Sequence, residues 1–167
     1  SEFATSFWAA ALLKDRVGST AAISTVAIVA LGTGMGIGRW FGGSLLKTFK
    51  LDNQLLGIVA LQFFGFTAFW LSHSMIISLV CLLVIGLGIS MQFALSAIRL
   101  VGFSDNRPDL AVGKASLAAG IAIAGAPFLL GFLGDNFGIS RAYIMVPVLI
   151  ALAFIIIKLT PLQSEKA

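Results

Sequence analysis

The sequence predicts an all-α protein that crosses a membrane several times, and two observations support this fold class. Hydrophobic residues make up 59% of the chain and charged residues only 11%, whereas soluble domains contain about 45–50% and about 25%. The apolar residues also form runs close to the roughly 20 residues that a helix needs to cross a bilayer core about 30 Å thick. The composition therefore argues against a soluble globular domain.

The apolar runs predict about five and a half membrane-spanning helices without any soluble domain between them. Five full spans are expected, over residues 19–38, 54–72, 75–98, 112–133 and 142–159. The apolar part of residues 1–13 would form a helix of only about 18 Å, which we interpret as a truncated first span. Short connections place successive spans side by side and antiparallel. We therefore expect residues 1–167 to form one transmembrane half-bundle, with the N-terminal half of the protein missing from the chain.

Lys and Arg residues are unevenly divided between the two sides of this bundle. Three lie in connections on one side: Lys14, Arg16 and Arg141. Eight lie on the other side, in connections, near span ends and in the C-terminal tail: Arg39, Lys47, Lys50, Arg99, Arg107, Lys114, Lys158 and Lys166. Basic residues accumulate on the cytoplasmic side of membrane proteins, so the C-terminus is predicted to be cytoplasmic.

Small residues recur at helical spacing in the first full span. Gly34, Gly38 and Gly42 lie four residues apart, as do Gly32 and Gly36. Faces of this kind let helix backbones approach closely in lipid, so these glycines are predicted to pack against neighbouring helices. A share in hinge-like motion is the alternative.

Glu2 is an acidic residue that falls near the middle of the membrane when depth is counted back from Lys14. Ionisable groups at that depth usually face a cavity, a proton path or a partner charge. Thr5 and Ser6 follow three and four residues later and share its helix face. We expect Glu2 to couple protons or bind a substrate charge, with Thr5 and Ser6 lining the same path. A structural role against a helix of the missing half is the alternative.

Gln62, Gln92 and Ser96 are polar residues inside predicted spans. Such side chains in membrane helices often bridge neighbouring helices, and lining of a substrate path is the second interpretation of each. Pro127 lies inside the span 112–133, where it removes a backbone donor and favours a kink. It suits either a moving helix or static packing.

Signatures of catalysis, metal binding and nucleic-acid binding are missing from the sequence. It has no Gly-x-Ser-x-Gly or His-Glu-x-x-His motif and a single His73, so the motifs of common hydrolases and metalloproteases are not met. Cys81 is the only cysteine, and the acidic residues other than Glu2 are expected in loops and tails. Basic residues do not alternate with aromatics in a polar segment, so nucleic acid is not an expected partner. We expect no enzyme, cofactor or metal.

Three segments together resemble one family of carriers. Residues 38–42 read Gly-Arg-Trp-Phe-Gly and resemble the Gly-Arg-x-x-Gly stretch that leaves the eighth helix of major facilitator superfamily transporters. Residues 127–138 read Pro-Phe-Leu-Leu-Gly-Phe-Leu-Gly-Asp-Asn-Phe-Gly and resemble the end of their eleventh helix. Residues 2–9, with a Glu before a Trp-Ala pair, resemble the seventh helix of bacterial members. In order and spacing, all 167 residues resemble the C-terminal half of such a transporter.

The resemblance implies secondary transport of a small molecule by alternating access, in which two halves rock around a site near the midplane and H⁺ is the usual coupling ion. It implies a multi-pass protein of a bacterial plasma membrane, whose partners are the bilayer, the substrate, H⁺ and the missing N-terminal half. Three charged residues would anchor loops or gates rather than bind cargo: Arg39, Asp135 and Arg141.

Other functions stay open at this stage. A non-transporting membrane subunit or scaffold would use the same Gly and Ala faces only for helix association. A membrane enzyme with its active site in the missing part, or a homodimeric carrier, would also fit an apolar bundle. Substrate, direction of transport and oligomeric state are not specified by these residues.

Overall fold

The computed structural model describes residues 21–46, 49–104 and 107–162, and helices are the only regular secondary structure in these ranges. In chain order the helices are α1 (Ala21–Leu46), α2 (Leu51–Leu71), α3 (Met75–Gly102), α4 (Pro108–Phe137), α5 (Ile139–Ala142) and α6 (Met145–Leu159). The all-α fold class predicted from composition is therefore confirmed for the described chain. The MFS half-bundle remains a finer prediction.

Four helical stretches are long and apolar enough to cross a membrane. They are α2, α3, α4 and the continuous stretch Ile139–Leu159, which contains α5 and α6. A multi-pass membrane protein follows from these four. Helix α1 has 26 residues, which is long enough to cross a bilayer core. It is not among the four stretches, so the span over 19–38 stays a prediction.

The helices differ in extent from the spans predicted by hydropathy. Residues 39–46, predicted to lie in a connection, continue α1, and α4 extends beyond 112–133 at both ends. A hydropathy window stops at charged residues, whereas a helix continues through them when their long side chains can reach the membrane surface. Helix α4 runs through Pro127 and ends at Gly138, whose φ of 83° lies in the left-handed region that favours glycine. The last predicted span, 142–159, is interrupted by a turn at residues 143–144.

Helix α3 forms the centre of the bundle. It packs against α1 on one side and α2 on another, and α6 packs against α2. Phe66, Leu82 and Ile85 are fully buried between these helices. Helix α4 is different, because only Ala111 and Leu130 are buried along its 30 residues. Most of its apolar surface is left uncovered by the described chain.

Helices α1 and α3 approach each other at backbone distance. A Cβ added to Gly34 would collide with the main chain of Leu83, and one added to Gly86 would collide with the main chain of Leu31. Backbone atoms cannot rotate away as a side chain can, so this crossing requires glycine on both helices. It is the close approach that small-residue faces permit in membrane bundles.

The other glycines of α1 divide between two sides of the helix. Gly38 and Gly42 continue the contact with α3, and an added Cβ at Gly42 would lie 2.6 Å from the Met91 Sδ. At Gly32 and Gly36 an added Cβ would meet nothing within 4 Å among the described residues. The packing predicted for those two therefore has no counterpart in the described bundle, because they point away from α3.

The end of α2 is joined to α5 and to the turn before α6. The indole Nε1 of Trp70 donates a hydrogen bond of 2.8 Å to the Ser140 carbonyl oxygen. Tyr143 is completely buried, with its ring 6.3 Å from Phe66 and 6.1 Å from Phe69 between centroids. Trp70 thus fixes the entry of the last span.

Candidate functional site

Two glutamine side chains meet in the interior of the bundle. The Gln62 Nε2 of α2 donates a 3.0 Å hydrogen bond to the Gln92 Oε1 of α3. Gln62 is completely buried, and Gly88 provides its space, since an added Cβ there would lie 2.6 Å from the Gln62 Cγ. The pair is the helix-bridging arrangement that was the first sequence interpretation of these residues.

Polar residues continue from Gln92 along one face of α3. Gln92, Ser96 and Arg99 are spaced by four and three residues, so they lie one above another on the helix. They line a cavity of about 270 Å³ between α2, α3 and α6, which we name the α3 groove. Its other walls are apolar and comprise Leu55, Val59, Leu100, Ala153, Ile156 and Ile157.

A second, smaller cavity lies beyond Gln92, towards the start of α6. Its volume is about 140 Å³, and Ala126 of α4 contributes to its wall. Gln92 and Ala153 line both cavities. The α3 groove and this upper cavity are therefore neighbours along the same face of α3, with the Gln92 amide between them.

An ion pair closes one end of the α3 groove. The Arg99 Nε donates to the Asp52 Oδ1 at 2.7 Å, and the two side chains are only 12% and 9% exposed. The second carboxylate oxygen, Oδ2, accepts a 2.9 Å hydrogen bond from the backbone N–H of Leu162. A buried carboxylate is tolerated when its oxygens are matched by a charge and a donor in this way.

Arg99 also binds the end of α6. Its Nη2 donates to the Ile157 carbonyl oxygen at 3.3 Å, to the Thr160 carbonyl oxygen, and to the Thr160 Oγ1 at 3.2 Å. Its guanidinium carbon lies 5.1 Å from the centre of the Phe103 ring, within the range of a cation–π contact. We name Asp52, Arg99, Thr160 and the backbone of Ile157 and Leu162 the Arg99 cluster.

Helix ends explain the electrostatics of this cluster. Asp52 is in the first turn of α2, where the helix dipole presents partial positive charge, and Arg99 binds the carbonyl end of α6, where it presents partial negative charge. Each charge therefore interacts favourably with a helix terminus as well as with the other. The cluster joins the beginning of α2 to the ends of α3 and α6.

Asp52 and Arg99 correct the sequence interpretation. The sequence places Asp52 and Arg99 in the connections 39–53 and 99–111, yet both lie in helices and pair inside the bundle. They are 47 residues apart, so no local spacing relates them. The usable signal was that each stands at the end of an apolar run on the same predicted side of the membrane.

The remaining predicted gate and coupling residues either lie outside the described residues or do not line this groove. Glu2, Thr5 and Ser6 lie outside the described residues. Three others are exposed, and none of them forms an ion pair with another residue of the described ranges: Arg39, Asp135 and Arg141. Their loop-anchoring role remains a prediction.

Comparison of the chain with protein-family models, with curated proteins and with solved structures finds no match in any of the three. Fold and site therefore define a class, a helical multi-pass membrane protein with a polar groove between its helices.

Proposed function

We propose that this chain is the C-terminal half of a proton-coupled secondary transporter of a small molecule, working by alternating access. The observation that supports it most is the gathering of polar side chains from within the spans along the α3 groove. A polar group in a membrane span is costly, and such groups usually face a pathway or a partner rather than lipid. Gln92 and Ser96 line a cavity here, in addition to any contact they make with neighbouring helices.

The surface of α4 also supports a half-bundle. Leu117, Ile121 and Phe128 are each more than 60% exposed, and little of this helix packs on the described chain. A helix of this kind suits contact with lipid and with the other half of a carrier, which the resemblance places beside it. Residues 38–42 and 127–138 supply that resemblance.

The test is transport by the full-length protein, including its N-terminal half, in proteoliposomes that contain a pH-sensitive dye. A panel of labelled sugars, amino acids and cationic drugs is applied with and without an imposed pH gradient. We expect gradient-driven uptake of one class, and we expect Glu2→Gln to abolish the gradient dependence at unchanged expression. Uptake that still depends on the pH gradient in that variant would contradict the proposed proton-coupling role of Glu2.

The second candidate is a non-transporting membrane subunit, and the glycine crossing of α1 and α3 favours it equally, because close packing serves assembly as well as transport. The intact mass of the natural protein and its upstream reading frame separate the two. A mass near twice the 17.5 kDa of this chain, with further spans upstream, supports a carrier. A natural protein of 17.5 kDa that purifies with unrelated membrane proteins supports a subunit.

A further inference from the structure

The glutamine pair beside the α3 groove contains more hydrogen-bonding capacity than the described residues use. Gln62 donates to Gln92, but the Gln62 Oε1 is buried and accepts no hydrogen bond from the described residues. An unmatched buried acceptor destabilises the fold unless a donor such as water reaches it. Its partner Gln92 borders both cavities, so the polar pair stands next to open space.

The size and the lining of that space suit water. A cavity holds water when it is roomy enough for one molecule and offers two to four polar partners. The groove has a volume of about 270 Å³, and Gln92, Ser96 and Arg99 supply an amide, a hydroxyl and a guanidinium along its length. Ser96 is exposed, so the groove is open at the surface of the bundle near the Arg99 cluster.

The charge of the groove is balanced. Arg99 is the only ionised residue among the described groove-lining side chains, and the Asp52 carboxylate neutralises it at 2.7 Å. An ion entering from water would lose hydration without finding an uncompensated opposite charge. A small neutral solute would lose less and could use the amide and the hydroxyl.

We propose that the α3 groove is a hydrated, charge-neutral site that admits small uncharged hydrogen-bonding solutes from the end where α3 terminates. The part of this inference that concerns a transported substrate rests on the proposed function. The hydration and the charge balance of the groove do not rest on it, because a non-transporting subunit with this groove would have the same two properties.

Cysteine accessibility in the full-length protein tests hydration. In a Cys81→Ala background, Ser96→Cys places a thiol in the groove, and Ile98→Cys is the matched control. Ile98 lies about 3 Å along the axis and about 200° around the helix from Ser96, and it is 57% exposed on the side away from the groove. The cysteine thiolate attacks the methanethiosulfonate sulfur, forming a mixed disulfide and releasing methanesulfinate, and this thiolate forms in water and not in lipid.

We expect the Ser96→Cys thiol to react about tenfold faster than the Ile98→Cys thiol, in vesicles whose cytoplasmic face is outward. A Ser96→Cys thiol that reacts as slowly as the Ile98→Cys thiol, and far more slowly than a water-exposed cysteine, would show that the groove is dry and would overturn the proposal. Uptake by the full-length protein is measured separately, so a dry groove with intact transport, or a hydrated groove without transport, tells the two proposals apart.

Three reagents of similar size test the charge: hydroxyethyl (neutral), sulfonatoethyl (anionic) and trimethylammonioethyl (cationic) methanethiosulfonate. Relative to a water-exposed cysteine control, we expect the neutral reagent to label Ser96→Cys fastest and the two charged reagents to be similarly slow. A strong preference for the anionic reagent with Asp52 intact would instead identify an anion site and overturn neutrality.

Removing one member of the ion pair unbalances the site. In Asp52→Asn the Arg99 charge is no longer compensated. It should raise the anionic-to-cationic rate ratio by about tenfold, because a unit positive charge a few ångströms from the thiol attracts the anionic reagent and repels the cationic one. Arg99→Gln should lower the same ratio. An unchanged ratio in folded variants would show that this pair does not set the charge of the groove. The rates with Asp52 and Arg99 intact test neutrality without either variant.

Discussion

At the scale of single residues, Asp52 and Arg99 connect several separate parts of the described chain. One carboxylate and one guanidinium tie together three helices and the segment after α6, through the contacts of the Arg99 cluster. Water solvates neither charge well, since both side chains are almost completely buried. Loss of either partner therefore leaves the other charge buried.

We expect Asp52→Ala and Arg99→Ala each to lower the free energy of unfolding by about 3–5 kcal/mol, the usual cost of breaking a buried pair. The double variant should lose less than the sum, because no charge is then left unpaired. SDS titration of the protein in mild detergent measures this cycle. Lys114→Ala, at an exposed position, is the control and should change stability by less than about 0.5 kcal/mol. Additive losses would show that the two residues act independently.

This pair marks the limit of sequence reasoning at the residue scale. Hydropathy finds the apolar runs, and helical spacing finds that Gln92, Ser96 and Arg99 share a face. The contact of Asp52 with Arg99 depends on which helix ends are neighbours, and that is a property of the packed bundle. That Gln62 and Gln92 bridge helices could be predicted from the sequence, because polar groups in lipid need hydrogen-bond partners.

At the scale of elements, the α1–α3 crossing depends on backbone approach. We expect Gly34→Leu to lower the free energy of unfolding by about 3 kcal/mol or to prevent folding, because the new side chain meets the Leu83 main chain. Gly36→Leu is the matched control on the open side of the same helix and should cost less than about 1 kcal/mol. Monodispersity in detergent and SDS titration measure both. Equal losses would mean that the contact with the Leu83 main chain does not cause the effect, since the higher helix propensity of Leu would by itself favour both variants.

The junction of α2 with α5 allows a second test at this scale. Trp70→Phe keeps an aromatic ring but removes the donor to the Ser140 carbonyl oxygen. We expect a loss of about 1 kcal/mol and faster hydrogen exchange in Ile139–Ala142, a four-residue helix with little stability of its own. Exchange in α3 serves as the internal control and should not change. Unchanged exchange in α5 would show that the Tyr143 packing alone holds this junction.

The extent of the helices shows what hydropathy misses at this scale. It located the cores of the last four spans, each of which overlaps one of the apolar stretches α2, α3, α4 and Ile139–Leu159. It placed helix ends too early, at residue 38 of α1 and residue 133 of α4, because it treats a charge as a boundary. The turn at residues 143–144 has no hydropathy signal, since Tyr143 and Ile144 are apolar.

At the scale of the whole molecule, the described helices place Asp52, Arg99 and Thr160 at one end of the bundle and Trp70, Ser140 and Tyr143 at the other. The distribution of Lys and Arg predicts that the Arg99 end is cytoplasmic. This orientation is a property of the entire chain in its membrane and not of any single helix.

We expect a C-terminal green fluorescent protein fusion to fluoresce and alkaline phosphatase inserted at residues 72–74 to be active, because the first reporter matures in the cytoplasm and the second outside it. Alkaline phosphatase inserted after Ser104 is the control and should be inactive. The opposite pattern would invert the predicted topology and would place the mouth of the α3 groove on the outer side.

The Arg99 cluster also has a consequence for the order of synthesis. Asp52 accepts a hydrogen bond from Leu162, which is 110 residues later in the chain. When α2 and α3 enter the membrane, Arg99 can find Asp52 but not the carbonyl groups of Ile157 and Thr160, which have not yet been made. The cluster therefore closes only after Leu162 has been made and has left the ribosome, so α6 is the last of the described helices to be fixed in place. A chain that stops before Thr160 leaves Arg99 without its contacts to α6.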